Sequence, residues 1–276
     1  MFDQILSNVT SKRPLVHCIT NYVTVSDCAN IIAACGASPI MADDHNEVED
    51  ITSICNALVL NIGTLNERTI QSMIKAGRKA NALRHIVVLD PVGAGASNLR
   101  TETTYKLLNE IQFSVIRGNI SEIKTVALGS GTTKGVDADA SDTITEENLS
   151  KSIQFIKTLS KKLKAVIVIT GAIDIVANED YAYVIRNGNA MMSKVVGTGC
   201  MLSSLIGAFC SANEDKILEA AATAVSLMGL AGEIAYERLK KVDDGAGLGT
   251  YRTFLIDAIS NMNWEVLKNG MKIEQR

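Results

Sequence analysis

Proline is scarce, three residues in 276, and no linker, internal repeat or low-complexity run divides the chain. Charge of one sign is also missing. Lys and Arg number 27 against 30 Asp and Glu, a net charge of −3 that leaves no footprint for nucleic acid or an anionic membrane. No apolar run reaches the roughly 18–20 residues of a membrane span. The stretch from Met1 to Lys12 mixes Asp3, Gln4 and Asn8 with its apolar residues, unlike a signal peptide. The six cysteines (18, 28, 35, 55, 200, 210) show no Cys-x-x-Cys spacing, and His17, His45 and His85 are scattered, which argues against structural zinc. Reduced cysteines in apolar runs point to a cytoplasmic protein. Two nucleotide signatures are lacking as well. Gly129 to Lys134 ends in Gly135 where a P-loop needs a hydroxyl, and Gly93-x-Gly95 leads to Asn98 where a dinucleotide fold needs glycine.

What remains is 47% hydrophobic, enough for a full-sized core, and residues 1–276 read as one domain. Leu15–Ile19, Ala57–Ile62, Ile86–Leu89, Ser114–Ile116 and Val166–Ile169 are short continuous apolar runs, the pattern of strands buried on both faces. Helical periodicity fills Val25–Cys35, Glu47–Cys55, Leu65–Ala82, Thr101–Ile111 and Glu146–Leu163 between them. Such alternation predicts right-handed βαβ units and a mainly parallel sheet, an α/β fold. Tyr181–Arg186 followed by Asn187-Gly188 predicts a hairpin or antiparallel edge. From Met201 onward the chain reads as almost entirely helical, through Ile217–Lys240 and Gly249–Met262, and Gly129–Asp142 as a surface loop.

Chemistry-bearing residues follow the strands, where ligands of open parallel sheets bind. Gly197-Thr198-Gly199 runs into Cys200 and a small-residue apolar helix. The first N–H groups of that helix have no intrahelical acceptor and can hold an anion, and such a position lowers a thiol pKa. Asp90, Glu122 and this late glycine turn are the parts that phosphoryl transfer needs: acids that organise Mg²⁺ and backbone donors for the moving group. Each has a plainer reading. Asp90-Pro91 makes a good turn, and Glu122 suits a helix start. His45 and His85 read as exposed and without function, while His17 and Cys18 suit the pocket or the core beside it.

Pro14-Leu-Val-His-Cys-Ile-Thr-Asn21 resembles the opening motif of the hydroxyethylthiazole kinases of thiamin salvage. So do Gly36-Ala-Ser-Pro-Ile-Met41, Ala57-Leu-Val-Leu-Asn-Ile-Gly-Thr-Leu65 and Asp90-Pro-Val-Gly-Ala-Gly-Ala96. Ile116-Arg-Gly-Asn-Ile-Ser-Glu122, Lys134-Gly-Val-Asp137, Ile169-Thr-Gly171, Val196-Gly-Thr-Gly-Cys200 and Gly207-Ala-Phe-Cys210 match in order, with the middle loop and the C-terminal stretch matching weakly. The resemblance implies a ribokinase-like three-layer α/β/α fold without a separate lid domain. It also implies ATP- and Mg²⁺-dependent phosphorylation of the primary alcohol of 4-methyl-5-(2-hydroxyethyl)thiazole.

Under this resemblance Cys200, Gly197 and Gly199 are catalytic, Cys200 either taking the hydroxyl proton or positioning the acceptor. Arg117, Asn119, Thr170 and Gly171 bind ATP. Met41, Asn21 and Gly197 bind the thiazole, and Asp90 and Glu122 organise the metal. Members of the family are homotrimers with sites at subunit boundaries, so Met41 and Asn21 are expected near one. Two other readings compete: a pyridoxal-type or pyrimidine alcohol kinase or dehydratase of the same fold, and a nucleotide-binding regulator that has lost catalysis. An aspartate after the glycine turn would favour the first, and Cys200 stands there instead. The second is disfavoured by the presence of Asp90, Glu122, Arg117 and both glycines.

Overall fold

The continuous apolar runs become strands because each is covered on both sides. In the computed structural model, which describes residues 1–128, 143–242 and 245–276, the strands are β1 (Leu15–Ile19), β2 (Ser38–Ile40), β3 (Ala57–Asn61), β4 (Ile86–Asp90), β5 (Val115–Asn119), β6 (Val166–Thr170), β7 (Asp174–Ala177), β8 (Ala182–Ile185) and β9 (Ile273–Gln275). They form one sheet in the order β2-β1-β3-β4-β5-β6-β7-β8-β9. The first six run parallel and the last three antiparallel. The Gly129–Asp142 loop and the Lys134–Asp137 motif lie outside the described residues.

Side chains alternate across a strand. Along β3, Ala57 and Val59 enter one core, Leu58 and Leu60 the other. The first core is closed by α1 (Phe2–Lys12), α2 (Val25–Ala34), α8 (Thr198–Ala212), α9 (Ile217–Leu239) and α10 (Leu248–Ser260). The second is closed by α3 (Val48–Ile54), α4 (Glu67–Ala82), α5 (Asn98–Glu110), α6 (Ile120–Leu128) and α7 (Leu149–Leu163). The result is a three-layer α/β/α fold. A short α11 (Trp264–Gly270) precedes β9.

The chain leaves β1 outward to β2, then crosses back to β3 on the other side of β1. Right-handed crossovers running in opposite directions must lie on opposite faces, so α2 and α3 do. The carboxyl ends of β1 and β3 therefore flank a point where the winding reverses, the place where open sheets bind ligands.

Several expectations need correction. Tyr181–Arg186 does enter the antiparallel side of the sheet, β8 pairing with β7 and β9. The hairpin turn, however, is not at Asn187-Gly188 but before this strand, where Asn178 Oδ1 accepts the N–H groups of Asp180 (2.9 Å) and Tyr181 (2.7 Å). Asn187 is buried and instead anchors the last strand, taking the Lys272 N–H at 2.7 Å. The C-terminal region is not wholly helical, since β9 pairs with β8. Contrary to the reading of no membrane-length apolar run, α9 is long and apolar enough to span one by length and composition. Its apolar window is 78% buried inside the fold, as a core helix requires.

Helix α8 crosses β1, β3 and β4 closely because its residues are small. A Cβ at Gly207 would stand 2.7 Å from Val59 Cγ2. Gly197, the N-cap of α8, has φ +93°, and a Cβ there would stand 2.5 Å from Thr24 Cγ2. Both the left-handed backbone and the close approach require glycine.

Candidate active site

The carboxyl ends of the parallel strands present Asn21 just after β1, Met41 after β2, Asn61 on β3, Asp90 on β4, Arg117 and Asn119 on β5, and Thr170 on β6. The start of α8 faces them. Asp90 is fully buried. Its Oδ2 accepts from Asn61 Nδ2 at 2.9 Å and Ser203 Oγ at 2.7 Å, with Arg117 Nη1 at 3.6 Å. Its Oδ1 has no hydrogen-bond partner. Burial pushes this carboxyl above its ordinary range against the pull of the Arg117 guanidinium.

Glu122 sits in the first turn of α6 and shares a reciprocal cap with Asn119. Asn119 Oδ1 takes the Glu122 N–H at 2.8 Å, and Glu122 Oε2 takes the Asn119 N–H at 2.8 Å. Glu122 Oε1 reaches across to the Gly93 N–H at 2.8 Å, clamping the loop after β4. Burial, then the charge of Asp90, push the Glu122 carboxyl up to about 7.

Arg117 Nη2 donates to Thr170 Oγ1, joining the ends of β5 and β6. The guanidinium rests on Gly199, where a Cβ would stand 2.5 Å from Nη1. Arg117, Asn119, Thr170, Gly171 and Gly199 all line one cavity of about 620 Å³, a size suited to a small ligand. Its far wall is built by Asn189, Met192, Val225 and Met228. Asp174, lining the same cavity beside Gly171, takes the Gly171 N–H at 2.8 Å, and burial pushes its carboxyl up to about 7. A hollow of about 380 Å³ at the opposite end of the strands, lined by Lys12, Asn56 and Glu214, holds none of the expected site residues.

Cys200 departs from expectation. Its thiol is not acidified by the helix start: burial first, and the Asp90 charge second, push it up to about 11. Desolvation disfavours the thiolate more than the hydrogen bonds from Thr24 and Asn21 favour it. Cys200 Sγ accepts from Asn21 Nδ2 at 3.3 Å. Asn21 is spent on the protein itself. Its Oδ1 takes the Thr24 N–H (3.1 Å) and Oγ1 (3.0 Å), and its Nδ2 also donates to Asn61 Oδ1 at 3.0 Å. Met41 is half-buried beside β2, packed on the core. His17 is a core residue, with Nε2 at 2.8 Å from the Ala42 carbonyl and Nδ1 at 3.0 Å from Thr52 Oγ1. His85 is half-buried rather than exposed, while His45 is exposed.

Asn61 was noted after its strand but given no role from sequence, and Ser203 and Asp174 escaped the sequence reading. Asn61 stood inside a matching motif after a strand, and Ser203 stands three residues beyond Cys200, so both carried a weak signal.

Residues 6–265 match the model of the hydroxyethylthiazole kinase family. This chain belongs to that family. It is 58% identical over 274 residues to a hydroxyethylthiazole kinase of Clostridium acetobutylicum, covering 99% of each chain. The structure of a hydroxyethylthiazole kinase protein from Pyrococcus horikoshii superposes with a TM-score of 0.87 at 32% identity, covering 100% of this chain and 98% of that one. The fold alone is shared with the pyridoxal kinase of Staphylococcus aureus, with TM-score 0.60 and 15% identity over 95% of this chain and 97% of that one. The chain is thus a kinase of this family, with ATP as co-substrate, on a ribokinase-like fold.

Proposed function

We propose that the chain transfers the γ-phosphoryl group of ATP to the primary hydroxyl of 4-methyl-5-(2-hydroxyethyl)thiazole, in the cytoplasm, as a step of thiamin salvage. The observation that carries this reading is the cavity in which Arg117, Thr170 and Gly199 meet the start of α8, one residue from Cys200. Arg117 and Thr170 bind phosphate oxygens there, while Asn119 and Gly171 hold the rest of the nucleotide. The first N–H groups of α8 stabilise charge developing on the moving phosphoryl group. The thiazole lies on the Asn21, Met41 and Gly197 side of the glycine turn, with Met41 offering a thioether to the ring.

A thiol raised to about 11 is thiolate in only about one molecule in ten thousand at neutral pH. Cys200 therefore acts by positioning the acceptor hydroxyl, whose proton leaves late in a loose transition state.

Asp90 and Glu122 fit Mg²⁺: both offer hard oxygen donors, and Asp90 Oδ1 is a buried acceptor with no partner. Among the described residues no group of three His, Cys, Asp or Glu could hold a metal by itself. Mg²⁺ commonly uses one or two carboxylates together with water and substrate phosphates. When bound, it neutralises charge on the transferring group. Tyr22 is 78% exposed, Val23 58% and Val196 68%, and all three adjoin Asn21 or Gly197. An apolar rim of this kind supports a homotrimer in which a neighbour covers the thiazole side.

Chromatography of a reaction holding ATP, Mg²⁺ and the thiazole alcohol tests the activity: thiazole monophosphate is expected, and its absence with folded protein ends the reading. Sedimentation tests the assembly, and a fully active monomer would overturn it.

A further inference from the structure

Asn61 and Asn21 form a directed chain between the acid at the end of β4 and the thiol at the start of α8. Asn61 is 2% exposed. Its Nδ2 donates to Asp90 Oδ2 at 2.9 Å, while its Oδ1 accepts from Asn21 Nδ2 at 3.0 Å and from the Gly63 N–H at 2.9 Å. The orientation of this amide is dictated by its partners. A carboxylate can only accept from it, and an N–H can only donate to it. Asn21 is fixed in the same way, because two donors of Thr24 occupy its Oδ1 and its Nδ2 must point at Asn61 and Cys200.

We infer that Asn61 is a positioning residue for the kinase reaction, setting the Cys200 thiol relative to the Asp90 carboxylate through Asn21. The inference rests on the kinase reading above. The chain spans the winding reversal between β1 and β3, so its links come from three strand ends and one helix start. Ser203 ties α8 to the same Asp90 oxygen but makes no link toward Asn21, so among the described residues the path from Asp90 to the thiol through Asn21 runs by way of Asn61. Because Asn21 offers its N–H to sulfur, the thiol hydrogen of Cys200 points away from that amide. Loss of Asn61 removes one donor from Asp90 and frees the Asn21 amide to rotate. Both changes act on alignment at the reacting centre more than on substrate binding.

The test compares Asn61→Ala, which removes both arms, with Asn61→Asp, which keeps the acceptor for Asn21 and loses the donor to Asp90. Both should lower kcat by roughly 10–100-fold, the usual effect of residues that orient others. KM for the thiazole alcohol should stay within about threefold. The second readout is the alkylation rate of Cys200 by iodoacetamide, mapped by mass spectrometry, since the other five cysteines are buried. That rate should change by at least about threefold in Asn61→Ala. Should this variant not fold, Asn61→Ser carries the same measurement and criteria. A kcat within about threefold of wild type in either variant overturns the proposal. So does an unchanged Cys200 alkylation rate. Alkylation needs no substrate, so wild-type protein that fails to phosphorylate the thiazole sinks the kinase reading separately, with the link to Cys200 still decided by its thiol.

Discussion

Arg117 Nη1 occupies the space that a side chain at Gly199 would need: a Cβ there would lie 2.5 Å from Nη1 and 2.9 Å from Nη2. The guanidinium can retreat only by giving up its hold on Thr170 and its approach to Asp90. Glycine at 199 is therefore demanded by an arginine from another element.

Gly199→Ala should displace Arg117 from the cavity wall with little effect on the folded core. We expect turnover to fall by at least about tenfold, within the range for a lost charge-stabilising donor, and KM for ATP to rise. Steady-state kinetics with ATP varied, beside a melting curve, checks both. Unchanged kinetics would show that Arg117 does not serve the nucleotide.

Cys200→Ser should keep measurable activity, losing no more than the roughly 10²–10⁴-fold typical of acid–base groups. Cys200→Asp should also remain active, its carboxylate being a better proton acceptor but repelling ATP phosphates and Asp90. With the wild-type thiol near 11, no limb of the pH–rate profile below about pH 9 should belong to Cys200. Inactivity of both folded, ATP-binding variants would show that the thiol is indispensable.

Glu122 predicts a pH effect of definite sign. Its carboxyl is raised from 4.5 to about 7, so between those values the folded chain keeps a proton that the unfolded chain has released. Stability falls with pH through that window. The cost is absent below about pH 4.5 and complete above about pH 7. The thermal midpoint of metal-free protein should show a smaller fall from pH 5 to pH 8 in Glu122→Gln than in wild type. His17, held neutral by burial, contributes the opposite slope in both proteins and cancels in the comparison. Parallel curves would rule out the raised value.

Gly207→Ala should act on stability alone. Its methyl group would press on Val59 beneath α8, an overpacking that costs about 1–3 kcal/mol. Denaturant unfolding should show the loss, with turnover per folded molecule preserved. A neutral effect would mean that α8 can lift off the sheet at little cost.

The parallel strands and most of their helices were legible because burial on both faces writes uninterrupted apolar runs, as in β3 and β4, and helices write their own period. Elements without such patterning were not. β2 is three residues long, and β9 is mostly exposed, its pairing with β8 visible only in three dimensions. Asn187 carried the local signature of a turn, yet its amide was claimed by the Lys272 N–H, 85 residues away. Long-range hydrogen bonds overrode local chemistry there.

By itself the sequence determined which residues stand at the strand ends and at the glycine turn, because strand, turn and helix starts are local matters of polarity and backbone freedom. Arg117, Asn119, Thr170 and Gly171, grouped as nucleotide ligands through the family resemblance, all line one cavity. The state of each site group was decided only by tertiary structure. A helix start alone would acidify Cys200. Burial, with the charge of Asp90 nearby, reverses that and keeps it a thiol, although the hydrogen bonds from Thr24 and Asn21 pull the other way. Proton affinity depends on the dielectric and charges that packing brings together, and no local stretch of sequence contains them.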